Sequence, residues 1–206
     1  MMIALVINAL LFTALTAVFI ANVRHYNTVV STSRLNQELQ MTMQLMTNDI
    51  RRAGYWGNAR NDVGTHQNNN PFTAAGLDVS ISGTNCILFS YDHDNNGTLA
   101  SISSSIDDER YGFRLNNFTV QTRPPGAAFD CAASASSWEN VTDPNVVRIT
   151  ALTFTLTQRT ITTGPGTKGI TMRSIDITLT GQLAGDSTIT KTLTQHIRIR
   201  NDKFIP

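Results

Sequence analysis

The first 23 residues of the chain contain no charged side chain. This run, MMIALVINALLFTALTAVFIANV, has polar residues only at Asn8, Thr13, Thr16 and Asn22. As a helix it would extend about 34 Å at about 1.5 Å per residue, more than the roughly 30 Å hydrocarbon core of a bilayer. Helix is the form required in lipid, because it pairs every backbone polar group within the segment. The sequence therefore predicts a membrane-spanning helix over residues 1–23.

Two other interpretations of this segment are less favoured. A cleaved secretory signal needs a basic region before a shorter apolar core, whereas no positive charge precedes Arg24. A buried helix of a soluble protein is usually apolar on one face, and this segment is apolar on every face. An all-round apolar helix can pack in a bilayer or in a bundle of similar helices, and the sequence leaves both open. The residues expected to make these contacts are Met1, Ile3, Leu5, Val6, Leu10, Leu11, Phe12, Leu15, Val18 and Phe19.

The helical pattern continues beyond Arg24 to Ala53 without Pro or Gly. Apolar residues recur three or four positions apart here, which places them on one helix face. Gly54 ends the pattern, and residues 55–57 follow as a compact aromatic turn. We therefore predict one helix of about fifty residues, ~75 Å long. Its second part, residues 24–57, is expected to pack on a globular domain through Leu35, Leu39, Met43, Met46, Ile50, Tyr55 and Trp56.

Residues 58–206 have the pattern of an antiparallel β-rich domain. A polar loop is expected over 58–76, and an irregular segment over 126–137. Strands are expected at 77–82, 86–91, 111–115, 118–122, 147–158, 172–182 and 188–200, with turns at 164–166 and 184–186. The last three runs alternate apolar with polar residues and are rich in Thr and Ile, which indicates antiparallel strands with one buried face. The predicted fold class is α+β, a long N-terminal helix followed by an antiparallel sheet.

The net charge and the two cysteines limit the partners and the cellular compartment that the chain can be expected to have. A net charge of +1 gives no basic field for nucleic acid. The C-terminal basic residues Arg198, Arg200 and Lys203 could touch DNA, but solvation of an edge strand is the favoured explanation. Cys86 and Cys131 are expected to pair as a disulfide in an oxidising compartment; the alternative is two reduced, buried thiols in a cytosolic protein.

One segment has metal-ligand spacing. DHDNNG, residues 92–97, places oxygen-bearing side chains at Asp92, Asp94 and Asn96 before a glycine, as a calcium loop does. The EF-hand pattern then fails, because Ser103 stands where a bidentate Glu is needed, although the acidic residues at 107–109 could supply carboxylates. A polar hairpin loop is the favoured alternative, since Asn-Gly promotes one by itself. Calcium is the only cofactor that the sequence suggests.

Nothing else in the sequence indicates a catalytic or small-molecule site. The four histidines, His25, His66, His93 and His196, lack the i, i+4 spacing of a metal pair and are expected at the surface. No Gly-x-Ser-x-Gly turn, phosphate loop or dinucleotide fingerprint occurs. We therefore expect no enzyme activity and no small-molecule substrate.

Two stretches resemble the type IV pilins. MMIAL looks like the end of the prepilin signature, in which a Gly-Phe cleavage point and a glutamate precede Leu-Met-Ile-Ala-Leu. RLNQELQMTMQLMTNDIRRAGYWGN, residues 34–58, is similar to the PilW family of minor pilins, whose helix ends in Asp-x-Arg-x-Ala-Gly-Tyr-x-Gly. Segments 86–97, 146–154 and 197–201 and the region around Trp138 look like later parts of that family. The matching residues of the helix end are Asp49, Arg51, Ala53, Gly54, Tyr55 and Gly57.

The resemblance implies a minor pilin that helps to initiate or cap type IV pilus assembly, with other minor and major pilins as partners. It implies a single-pass inner-membrane protein with a periplasmic domain, which enters the pilus on assembly. Because Met1 stands directly after the position of the family's glutamate, we expect a start codon farther upstream; an unusual subunit is the alternative. Two other functions stay open, a type II secretion pseudopilin and a membrane-anchored adhesive or binding domain.

Overall fold

A computed structural model describes residues 2–62, 69–102, 107–162 and 168–205 of the chain. Within them, one long helix, α1 (Met2–Ile50), precedes a domain of antiparallel sheet. The predicted α+β fold is therefore confirmed. Met1, His66, Ser103 and the turn expected at 164–166 lie outside the described residues.

The helix ends three residues before the predicted boundary at Ala53. Arg52 and Ala53 donate their amides to the carbonyls of Asp49 and Ile50, at 3.0 and 3.1 Å, which tightens the last turn beyond α-helical geometry. Gly54 then adopts a φ of 72°, in the left-handed region that glycine enters without strain. Its amide donates to the Ser90 carbonyl at 2.8 Å, so the chain leaves the helix directly onto the domain.

The first sheet has five antiparallel strands in chain order. They are β1 (Ser80–Ser82), β2 (Cys86–Ser90), β3 (Arg110–Asn116), β4 (Thr119–Thr122) and β5 (Glu139–Asn140). Asn117 and Phe118 join β3 to β4 with φ angles of 47° and 63°. A two-residue loop with positive φ at both positions is a tight hairpin turn, which is why Phe118 lies outside the strand expected to begin there.

The second sheet is built around a long hairpin. Its strands are β6 (Val147–Thr162), β7 (Gly169–Leu183), β8 (Thr190–Arg198) and β9 (Lys203–Ile205). Strand β7 is central: β6 pairs along one side of it, and β8 and β9 pair along successive parts of the other. The sequence prediction missed the short strands β5 and β9, because each forms by pairing with a distant segment rather than by a pattern of its own.

The core lies between helix and sheets. Helix α1 packs on β7 and β8, and β6 joins the two sheets, with the Ile149 and Phe154 amides donating to the Phe118 and Thr84 carbonyls at 2.9 and 2.7 Å. Every second residue of β7 from Gly169 to Gly181 is buried, so its inner face is buried throughout, including Ile175, Ile177 and Leu179. The apolar face of α1, which follows from its 3.6-residue period, therefore packs on the inner face of β7, which follows from the alternation of its residues.

Candidate assembly helix and the loop at its base

The first part of α1 is exposed around its whole circumference. Every side chain described in residues 2–30 is exposed, and the side chain of Leu5 lies outside the described part. We call residues 2–30 the apolar arm. Eight residues predicted for membrane or bundle contact are each at least 58% exposed: Ile3, Val6, Leu10, Leu11, Phe12, Leu15, Val18 and Phe19. Residues 2–23 of the arm carry no charge, and an apolar surface of this extent is costly in water unless lipid or protein covers it.

Polar groups in the apolar arm are compatible with such surroundings. Thr13 donates its hydroxyl to the Leu10 carbonyl at 2.8 Å, and Thr16 donates to the Phe12 carbonyl at 2.9 Å. These bonds within the helix reduce the cost of removing the hydroxyls from water. By length and composition, α1 is the only helix in the described ranges that could cross a membrane. The arm thus has the properties of a membrane anchor.

The second part of α1 is attached to the sheets by the predicted apolar face. The buried residues of this face are Leu35, Leu39, Met43, Met46 and Ile50. At its centre Leu39 lies over Gly181 of β7, where a Cβ atom would lie only 2.8 Å from Leu39 Cδ2. The absence of a side chain at Gly181 therefore allows the helix to approach the sheet closely. On the opposite side, Met41 and Leu45 are exposed at 69% and 42%.

Tyr55 and Trp56 contact a loop rather than the sheet. The Tyr55 ring is 40% exposed, and its hydroxyl donates to Asn95 Oδ1 at 2.8 Å. The Trp56 indole N–H donates to the Gly97 carbonyl at 2.8 Å. Both residues, which were expected to pack on the globular domain, contact it at this loop, because each ring has a polar group that reaches a loop partner. We call residues 92–97 the acidic loop.

Asp92 holds the acidic loop against the base of the helix. Its Oδ2 accepts the amides of Gly57 at 2.7 Å and Gly97 at 2.9 Å, and its own amide donates to the Tyr55 carbonyl at 3.0 Å. Gly97 has a φ of 78°, and a Cβ there would lie 1.8 Å from Asn58 Nδ2. Gly97 is thus favoured by its left-handed φ and by the close approach of the Asn58 side chain, and a Cβ at Gly57 would lie 2.4 Å from Asn95 Oδ1.

Three carboxylates meet beside this contact. Asp92, Asp94 and Glu109 each place one oxygen within 4.8 Å of those of the other two. Burial raises the pKa of the Glu109 carboxyl, the charges of Asp92 and Asp94 raise it further, and amide bonds from Ala100 and His93 oppose the shift. Asn96, the third ligand suggested by the sequence, turns its Oδ1 to the Thr98 amide at 2.7 Å instead. Sequence spacing identified the two aspartates, while Glu109 reaches them only through folding.

The cysteines form the expected disulfide. Cys86 of β2 and Cys131 are bonded, 45 residues apart in sequence. Closing a loop of that length restricts the unfolded chain by about 4 kcal/mol in the chain-entropy treatment. Arg114 lies 4.4 Å from the Trp138 ring centroid and donates to the Cys131 carbonyl at 2.8 Å. The irregular segment predicted over 126–137 is therefore fastened to the first sheet by a covalent bond and a buried cation.

The structure contains two buried ion pairs that could not be predicted from the sequence. Asp108 and Arg123 are both fully buried and lie 2.6 Å apart. Arg173, also buried, contacts Asp78, which in turn accepts from Lys203 of β9 at 2.9 Å. The partners are far apart in sequence, so no local pattern could have indicated them. The Asp78–Arg173 pair joins a loop to β7, and the Asp108–Arg123 pair joins the segment before β3 to the segment after β4. Both pairs therefore support the domain rather than form a reactive site.

The described histidines and the C-terminal basic residues lie at or near the surface, as predicted. His25, His93 and His196 are exposed, and His196 Nδ1 lies 2.7 Å from Asp176 Oδ1. At the C-terminus, Arg198 pairs with Asp202 at 3.1 Å, and the Arg200 amide donates to the Arg51 carbonyl at 3.3 Å. The side chains of Arg198 and Lys203 are thus paired with carboxylates, while Arg200 is exposed.

Comparison with known proteins agrees with this arrangement. The family described as Prepilin peptidase-dependent protein B (PpdB) matches residues 28–199, from the end of the apolar arm to the end of β8. No curated protein matches the chain, and no solved structure does. The matched region contains the packed part of α1, the aromatic turn, both cysteines and the acidic loop. The chain belongs to the prepilin peptidase-dependent protein B family and is thus related to the type IV prepilins.

Proposed function

We propose that this chain is a minor pilin, resembling the PilW family, which takes part in initiating or capping a type IV pilus. The observation that carries the proposal is the apolar arm, which continues without a break into a helix packed on a sheet domain. Membership of a prepilin-related family supports it. We propose no catalytic activity for the chain, since its function as a pilin requires only assembly contacts.

In the proposed mechanism the apolar arm has two successive environments. It first anchors the subunit in the inner membrane, with the sheet domain in the periplasm. It then leaves the lipid and packs among the helices of other minor and major pilins. Because lipid is as apolar as the arm, the exchange depends on close packing rather than on the hydrophobic effect. A row of small residues at four-residue spacing would allow such packing: Ala9, Thr13, Ala17 and Ala21.

The packed part of α1 supplies a second contact surface. Met41 and Leu45 point away from the sheet and remain exposed. In a helical bundle this side would face a neighbouring subunit, while Leu35 to Ile50 keep the sheet domain fixed to the same helix. Rigid attachment matters because the arm and the domain must move into the fibre as one body.

The test is cross-linking through a cysteine introduced in the arm. The two native cysteines are joined, so a Leu11→Cys variant presents one free thiol. With a pilin partner carrying a cysteine in its own N-terminal helix, we expect oxidised adducts in sheared pili. Thr192→Cys, on the exposed face of β8, is the matched control and should give no such adduct. A strain lacking the chain should carry fewer pili and regain them on complementation.

Two results would contradict the proposal. If the chain stays entirely in the membrane fraction and forms no arm adduct, it is an anchored domain of another kind. If adducts form only with pseudopilins and pilus number is unchanged by deletion, the chain serves a type II secretion system. The genes adjacent to its own offer an independent check on the second case.

A further inference from the structure

We propose that Asp92, Asp94 and Glu109 bind a calcium ion. Their carboxylate oxygens lie within 4.8 Å of one another. Calcium takes oxygen ligands at about 2.3–2.6 Å, so two ligands on opposite sides of the ion lie up to about 5 Å apart. Magnesium, with ligands at about 2.0–2.1 Å in rigid octahedral geometry, requires a smaller site. Separations within 4.8 Å admit calcium, whose flexible coordination suits carboxylates that come from two separate segments of the chain.

The second line of evidence is an oxygen without a donor. Asp92 is only 2% exposed, and its Oδ1 accepts no hydrogen bond. Its other oxygen, Oδ2, already accepts the Gly57 and Gly97 amides. A buried carboxylate oxygen with no partner is costly, because it has lost water and gained nothing in return. Calcium at the carboxylate cluster would give Oδ1 the partner it lacks.

The negative charges of the three carboxylates also favour a bound cation. Glu109 is 1% exposed beside Asp92, and Asp94 lies at the open side of the cluster. None of the ion pairs found in the described ranges includes any of these three residues. Like charges held together in partial burial repel, and a divalent cation removes the repulsion. A hairpin loop stabilised by Asn-Gly alone would not require Glu109 to be buried here.

The ion would connect three parts of the fold. Asp92 and Asp94 belong to the acidic loop, and Glu109 directly precedes β3. The acidic loop in turn binds the base of α1 through Tyr55, Trp56 and Gly57. Calcium therefore stabilises the attachment of the helix to the sheet domain, and this proposal does not depend on which fibre the chain enters.

The test measures calcium binding by the full-length chain in detergent micelles, after removal of metal with EDTA. Calcium at about 100 times its Kd should raise Tm by roughly 5–10 °C. The expected Kd is about 10⁻⁴–10⁻³ M, as in extracellular calcium modules. Magnesium at equal concentration should raise Tm much less. Terbium gives a second measurement: we expect Trp56, whose indole is bonded to the acidic loop at Gly97, to sensitise terbium luminescence, and calcium to displace the terbium.

Variants distinguish calcium binding at this site from a general effect of negative charge on the protein. Asp94→Asn and Glu109→Gln should each weaken calcium binding by about tenfold or more, because each removes one of three charged ligands. Asp143→Asn is the matched control: Asp143 accepts the amide of the residue two positions on, Asn145, just as Asp94 accepts that of Asn96. This control should leave the calcium affinity within about twofold of the parent.

Three results would overturn the proposal. One is the absence of both a Tm shift and terbium luminescence in the parent chain up to about 10 mM ion, beyond the weakest extracellular range. Another is equal calcium affinity in the parent, Asp94→Asn and Glu109→Gln chains. The third is an equal response to magnesium, which would remove the assignment to calcium. A variant that fails to fold is replaced by the other, since either alone distinguishes the outcomes.

Discussion

The packing of Leu39 over Gly181 gives a quantitative prediction about how the assembly helix is attached. Leu39 is fully buried, and Leu39→Ala removes three carbon atoms. At about 0.8 kcal/mol per carbon the loss of transfer free energy is about 2.4 kcal/mol. The cavity left behind brings the expected loss of unfolding free energy to about 3–4 kcal/mol. Leu45→Ala, the same substitution on the exposed side, should cost no more than about 0.5 kcal/mol.

Gly181→Ala tests the same contact from the other side. Its new Cβ would lie 2.8 Å from Leu39 Cδ2, well inside the ordinary carbon separation of about 3.5–4.0 Å. In the parent chain the substitution overpacks the interface, at about 1–3 kcal/mol. In the Leu39→Ala background that clash is gone, and the methyl group enters the cavity. We therefore expect the double variant to be more stable than additivity predicts, by about 1–2 kcal/mol.

The assay is urea unfolding of the full-length chain in detergent, followed by the fluorescence of Trp56 and Trp138. Both indoles belong to the sheet domain and its junction with the helix, so the signal reports on the part where the substitutions lie. Equal m-values are needed for the four chains of the cycle to be compared. The reasoning fails if Leu39→Ala costs no more than Leu45→Ala. It also fails if the coupling between positions 39 and 181 is zero or destabilising.

Two further predictions concern the domain. Asp108→Asn should cost about 3–5 kcal/mol, because it leaves the Arg123 guanidinium buried without its counter-charge; Asp202→Asn, which breaks the solvent-exposed pair with Arg198, should cost less than about 1 kcal/mol in the same urea assay. Gly97→Ala should lower Tm by several degrees, since a Cβ would lie 1.8 Å from Asn58 Nδ2 at a φ of 78°, whereas Gly185→Ala meets nothing within 4 Å and should leave Tm nearly unchanged. Equal effects within either pair of variants would contradict the structural explanation.

The local sequence pattern was sufficient to predict those elements in which apolar residues recur with a clear period. The stripe from Leu35 to Ile50 predicted both the helix and its buried face, and alternation predicted β6, β7 and β8 with errors of a few residues at their ends. The boundary error at β4 has a local cause, the hairpin turn at Asn117 and Phe118. Strand β9 was missed because three residues carry no periodicity, and it exists only as a partner of β7.

The sequence by itself determined that the chain begins with 23 uncharged, mostly apolar residues that are costly to expose to water, continuous with an amphipathic helix and a β domain. Hydrophobic period is a local property, and it needs no knowledge of distant residues. Only the tertiary structure decided which partners meet: Glu109 with Asp92, Asp108 with Arg123, and Trp56 with the acidic loop. Such contacts depend on chain topology, because polar groups acquire their partners only where the backbone brings distant segments together.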